Sequence, residues 1–206
     1  MPFLIPVLVG LLVLPASVMA PAETAHAAAP AVMASTTPVV QLPAPKLVIA
    51  PVAIPAFTTK LTAYNAVPSQ TDNNPFTTAS GAFSNPEVVA ARSGDLAYKL
   101  PYGTVIAIER TSSDNPSCLY SKVESQIGYR VIADAMNPRI TNTIDVLLDQ
   151  NKTVPVGGSL INPGRALGLC GAVSIRVVGK VAVKDIPATQ AELAAMVTGS
   201  TELAVR

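Results

Sequence analysis

The sequence contains no tryptophan, one histidine and two cysteines, and only 4% of its residues are aromatic. Each scarcity removes a class of protein. His26 with Cys118 and Cys170 cannot make a Cys/His zinc site, and no Ser–His–Asp or Cys–His arrangement is available for nucleophilic catalysis. Charge is sparse as well: 14 Lys and Arg stand against 13 Asp and Glu, with no basic block. That argues against a nucleic-acid footprint or a polybasic membrane patch. Neither a glycine-rich phosphate loop nor a dinucleotide fingerprint occurs, so no nucleotide and no other cofactor is expected. With few rings to use, the core must be built from Val, Ile, Leu and Ala, within a chain that is 50% hydrophobic.

What is present is organised in blocks. Phe3–Leu14 is an uncharged apolar run followed by small residues, including Ala25-His26-Ala27. Residues 1–27 read as a secretory signal peptide, with cleavage after Ala20 or Ala27, and the protein as exported to the periplasm, cell envelope or extracellular space. Contact with a membrane would come only through this segment, if it stays uncleaved. Residues 28–55 hold prolines at 30, 38, 43, 45, 51 and 55 and one charge, Lys46. Such chain is extended and helix-free, a Pro/Ala-rich linker in which Leu47–Ile54 is a candidate edge strand. Residues 56–184 carry six strand-like runs: Thr58–Tyr64, Glu87–Ala91, Thr104–Arg110, Gly128–Asp134, Thr143–Leu148 and Ala172–Val183. Gly, Pro and Asn signals separate them, which predicts an all-β domain, a small six-stranded barrel or sandwich. Residues 185–206 form a weakly helical C-terminal tail. The two cysteines of an exported chain are expected to pair, Cys118 with Cys170.

The stretch Tyr129–Leu148 is the candidate working site. Two apolar runs each carry one carboxylate, Asp134 and Asp145, and Asn137-Pro138-Arg139 between them reads as a turn. An acid inside an apolar strand is costly unless it is paired, hydrogen-bonded or neutral. Two of them joined by one connection suggest a site. Alternatively, Asp134 caps the loop and Asp145 marks an exposed strand face.

Three segments together resemble a known family. Leu61-Thr-Ala-Tyr-Asn-Ala-Val-Pro-Ser-Gln-Thr-Asp-Asn-Asn-Pro-Phe-Thr-Thr-Ala-Ser-Gly81 resembles the opening motif of the three-aspartate ("3D") domain. Leu100-Pro-Tyr-Gly-Thr-Val105 is similar to that family's I-P-L-G-T-x-V segment. Ala133-Asp134 and Ile144-Asp145-Val146 are similar to its A-D-T and I-D-V pair. The resemblance spans about Thr58 to Leu148. It implies a double-psi β-barrel related to the catalytic barrel of membrane-bound lytic transglycosylase A. It also implies peptidoglycan glycan strands as substrate, cut without water at O-glycosyl bonds to leave 1,6-anhydro-muramoyl ends. Carried over by position, Asp145 would be the general acid/base and Asp134 a second acid in the same groove. Two departures stand out. The family's first aspartate lies in an A-V-D-P segment, and in the matching run Val88-Val-Ala-Ala-Arg-Ser93 its place falls to Arg92. The family's D-T-G-G is replaced by Asp134-Ala-Met-Asn137.

The implied chemistry sets a requirement. An ordinary glycosidase uses two carboxylates, whereas a lytic transglycosylase can use one, because the sugar's C6 hydroxyl replaces water. That acid must be largely neutral when substrate binds, a pKa rise of two to three units, or roughly 3–4 kcal/mol. Burial of Asp145 beside a charged Asp134 would supply it, and Arg92 pointing into the groove would oppose it. An Arg92–Asp145 pair would favour the alternative function, an inactive barrel that binds glycan or has a structural cell-envelope role. Tyr64, Thr78, Ser80, Gly81, Arg92 and Arg139 are candidate sugar contacts. Tyr64 equally suits a half-buried strand, and Thr78–Gly81 an ordinary turn.

Overall fold

A computed structural model describes residues 55–72 and 74–204, with side chains described up to residue 199. The signal peptide and nearly all of the linker expected from the sequence lie outside the described residues, as does Asn73. Six strands close into a barrel: β1 (Phe57–Tyr64), β2 (Val89–Arg92), β3 (Thr104–Arg110), β4 (Tyr129–Ala135), β5 (Thr143–Leu147) and β8 (Cys170–Lys180). They run in the order β1-β5-β2-β4-β3-β8. These are the six runs read from the sequence, with shifted ends. Two neighbouring pairs, β1/β5 and β2/β4, are parallel, and the remaining neighbours are antiparallel. A short hairpin, β6 (Val154–Val156) with β7 (Ser159–Ile161), stands apart from the barrel.

The strands are rich in β-branched residues, which suit a pleated surface packed on both sides. Alternation then divides them between two cores. Leu61, Ala90, Ile106, Ile132, Ile144, Val146, Val173 and Ile175 fill one, the barrel interior. Val89, Val131, Ala133 and Leu147 face outward into a second, where Leu193 and Val197 of helix α3 (Gln190–Ala204) pack on them. The tail is therefore part of the domain. Burying a large aliphatic side chain stabilises by about 1.5–3 kcal/mol, and Leu193 is fully buried.

Two shorter helices, α1 (Tyr120–Ile127) and α2 (Pro163–Leu167), pack on each other beside the barrel. Asn162 caps α2, its side chain accepting from Gly164 N at 2.9 Å. A disulfide between Cys118 and Cys170 ties the loop before α1 to the start of β8. Gln190, the first residue of α3, acts as a short strand: its Nε2 donates to Tyr129 O at 2.7 Å and its Oε1 accepts from Tyr129 N at 3.2 Å. That docking requires Gly128, whose φ is +52° and whose missing Cβ would collide with the Gln190 amide.

Arg130 on β4 is completely buried yet makes no ion pair among the described residues. Its guanidinium donates to carbonyls of Ile127 (2.6 Å), Pro86 (2.7 Å), Leu147 (3.1 Å), Val89 (3.3 Å) and Gln126. Gln126 and Ile127 end α1, where carbonyls point at a cation and the helix dipole favours it. Burial lowers its pKa to about 9, still charged at neutral pH.

Candidate active site

Asp145 and Asp134 lie on one face of the barrel because of a one-residue slip in pairing. Along β2 and β4, Val89 faces Val131 and Ala90 faces Ile132, but Ala91 faces Asp134. With regular pairing Ala91 would oppose Ala133. The bulge instead brings Asp134 level with Ala91, on the outward side. On the other edge of β2, Ala91 pairs with Asp145 of β5. Ala91 therefore sits between the two acids, with their Cα atoms two strand spacings, or about 10 Å, apart.

Strand β1 supplies a hydroxyl to each acid. Thr62 pairs with Asp145 in the parallel β1/β5 ladder, and its Oγ1 donates to Asp145 Oδ1 at 2.7 Å. Two residues on, on the same face, Tyr64 donates its phenol to Asp134 Oδ2 at 2.7 Å. The other oxygen of Asp134 accepts from Ala79 N and Ala135 N, both at 2.9 Å. Three donors fix this carboxylate. Asp145 keeps one, and burial raises its pKa to about 6; the Thr62 hydrogen bond opposes the rise and the Asp134 charge adds to it. Burial first, then the Asp134 charge and hydrogen bond, push the Tyr64 phenol far above its ordinary range, so it stays a donor.

Both acids open into a cleft of ≈ 630 Å³. One wall is the segment after β1, including Gln70, Thr71 and Asp72, together with a small hairpin anchored by the Thr77–Phe83 bridge. The opposite wall is the β4–β5 turn, through Met136, Asn137 and Ile140. Ser80 N donates to Ala133 O at 3.1 Å, which docks the hairpin tip on β4 beside Asp134.

The other residues singled out from the sequence take different places. Tyr64 lines the cleft, but as a hydrogen-bond donor rather than a free stacking face. Thr78 is buried and bonds within the hairpin, to Ser80 Oγ at 3.1 Å and Ala82 O at 3.2 Å. Gly81 makes the hairpin turn with φ +85° and borders a neighbouring groove. Arg139 is exposed at the β4–β5 turn and is not part of the cleft wall, unlike Asn137 and Ile140 beside it.

Arg92 is turned away from the acids. Its Nε donates to Leu100 O at 2.8 Å and its guanidinium stacks 4.9 Å from the Tyr102 ring centre. Read from the sequence as holding the place of the family's first aspartate and as a candidate sugar contact, Arg92 does not line the cleft: strand alternation sends it to the other side, and Ala91 sits between the acids. Thr62 and Ala91 are the site residues that sequence reading passed over. The Thr-x-Tyr alternation within β1 was the available signal for Thr62. For Ala91 the missing information was the bulge, which leaves no mark in the sequence.

No protein-family model matches the chain, and no curated protein matches it. Among the described residues no group of three or more His, Cys, Asp or Glu is arranged to hold a metal ion, and no helix is long and apolar enough to cross a membrane.

Proposed function

We propose that the protein cleaves peptidoglycan glycan strands at O-glycosyl bonds, as a lytic transglycosylase does, in cell-wall turnover. The observation that carries this reading is the unequal treatment of the two acids. Asp145 is a half-buried carboxyl with pKa raised to about 6 and opens on the cleft of ≈ 630 Å³. Asp134 is locked as an acceptor by three donors. A raised carboxyl with one free oxygen can carry the proton, while a neighbour whose oxygens are all engaged by donors can only accept.

In this mechanism protonated Asp145 gives its proton to the glycosidic oxygen as the C1–O bond breaks. The muramoyl C6 hydroxyl attacks C1, and its proton returns to Asp145, closing the 1,6-anhydro ring. No water is consumed and the acid is regenerated. The Asp134 carboxylate supplies negative potential while positive charge develops at C1. Arg92, engaged with Leu100 and Tyr102, leaves Asp145 free of a cationic partner.

The finer fold reading belongs to the same proposal. A closed six-stranded barrel with two parallel pairs, β1/β5 and β2/β4, is consistent with a double-psi barrel. Export behind a signal peptide agrees with the Cys118–Cys170 disulfide, since such bonds persist in oxidising compartments. Incubating the protein with purified sacculi and analysing the soluble products by mass spectrometry should reveal anhydro-muropeptides. A second reading, a glycan-binding barrel without catalysis, draws on Ala91, which puts no third acid between Asp134 and Asp145. Binding to sacculi with no anhydro product would select that reading.

A further inference from the structure

We propose that Thr62 is a positioning residue that divides the two oxygens of Asp145, holding Oδ1 so that the exchangeable proton sits on the unbonded oxygen, Oδ2. The inference rests on the reading of Asp145 as the acid/base and goes beyond it to a residue outside the cleft wall. Thr62 lies beside Asp145, its paired neighbour in the parallel β1/β5 ladder. Its hydroxyl is 2.7 Å from Oδ1, and no donor among the described residues reaches Oδ2. A hydroxyl that donates to Oδ1 disfavours a proton on that same oxygen. The proton is thereby directed to Oδ2, where a glycosidic oxygen can receive it.

The bond also acts on the strength of the acid. Thr62 stabilises the carboxylate that forms once the proton has left, so it makes Asp145 a better donor than burial alone would allow. The other ionisable groups near Asp145 leave this role to Thr62. Tyr64 on β1 donates its hydrogen bond to Asp134, and Asp134 on β4 adds only repulsion. Asp72 on the facing wall is a further acid. Arg92 on β2 is bonded to Leu100 O, and Arg130 on β4 is spent on backbone carbonyls. No cation faces Asp145 from the strands beside it.

Thr62→Val keeps the shape of the side chain and removes the donor, whereas Thr62→Ser keeps the donor. The Asp145 carboxyl can be titrated by carbon-13 NMR in the full-length protein, with Asp145→Asn to assign its signal, whether or not any glycan is cut. Thr62→Val should move that titration upward by about one pH unit, the scale of one hydrogen bond to a charged group. Thr62→Ser should return it to the parent position. On sacculi, Thr62→Val should lower kcat by about tenfold, within the range of general acid/base effects, leave KM unchanged and carry the alkaline limb upward by the same pH shift.

An unmoved Asp145 titration in Thr62→Val overturns the proposal, as does Thr62→Ser behaving like Thr62→Val. If the titration moves but the parent releases no anhydro product, Thr62's hold on Asp145 stands and the glycan-cleavage reading fails.

Discussion

Asp145→Asn should make this protein more stable and less active at once, and the structure gives the size of the first effect. The Asp145 pKa is raised from 3.8 to about 6 in the folded chain. About two units at 1.36 kcal/mol each is about 3 kcal/mol of folding stability withheld when the group is ionised. The folded-state pKa lies above the unfolded one, so between about pH 4 and 6 the folded protein binds the extra proton. The contribution of this group to stability is therefore fully present below pH 4, and it is lost as pH rises through 6. Asparagine keeps the shape and can still accept from Thr62, but it never ionises.

The variant should accordingly exceed the parent by up to about 3 kcal/mol at pH 7, or several degrees in Tm for a domain of this size. Its advantage should shrink to nothing near pH 4, where Asp145 in the parent is protonated in both states. Urea unfolding of both proteins at pH 4, 5, 6 and 7 measures the difference directly, and subtracting one from the other removes the remaining acids. Glycan cleavage should fall by about 10²–10⁴. A variant less stable than the parent at pH 7, or an advantage that does not diminish towards pH 4, would refute the claim that Asp145 is held ionised against its surroundings.

Three other outcomes follow from the packing. Arg130→Met should destabilise the barrel by about 3–5 kcal/mol, because buried carbonyls of α1, β2 and β5 lose their common donor; guanidinium unfolding reads it. Reducing Cys118–Cys170, 52 residues apart, should cost about 4 kcal/mol by the chain-entropy estimate, and thiol labelling of the unfolded, unreduced protein should find no free cysteine. Gly128→Ala should loosen α3 from β4, since the new Cβ meets the Gln190 amide at a backbone angle favouring glycine; faster amide exchange at Tyr129 than in the parent would show it.

The parts of the fold that were legible in the sequence are those written as local pattern. Each barrel strand is a short strand-like run with Gly, Pro or Asn signals in the connections around it, and the chain needs nothing distant to make that visible. The shorter elements were not. Helix α2 is five residues long and rests on the Asn162 cap, and the β6/β7 hairpin has three residues per strand around Gly157-Gly158. Helix α3 has apolar positions on several sides, so its buried face, Leu193 and Val197, is chosen by the barrel wall rather than by its own periodicity. Gln190 shows the same limit: a polar residue at a helix start carries no sign that its amide will complete a strand 61 residues away.

The two acids illustrate a subtler boundary. Their spacing along the chain left a shared site open beside a loop cap and an exposed strand face; both acids line one cleft, but the residue between them depends on register. A one-residue slip between Ala90 and Ala91 decides that Asp134 faces outward with Asp145 and that Ala91, not Arg92, lies between them. Without the slip, Asp134 would follow Ile132 into the barrel interior, where an ionised carboxylate without partners is prohibitively unfavourable. The bulge thus makes the acid tolerable and makes the site in the same step. Strand β1 extends the argument: it closes the barrel between β5 and β8, and its outward hydroxyls, Thr62 and Tyr64, reach one acid each. Carboxylates held from a strand that the whole barrel fixes cannot drift independently of the fold. For a cleft whose chemistry depends on one acid being partly neutral and its neighbour being fully bonded, that coupling keeps the difference between them in place.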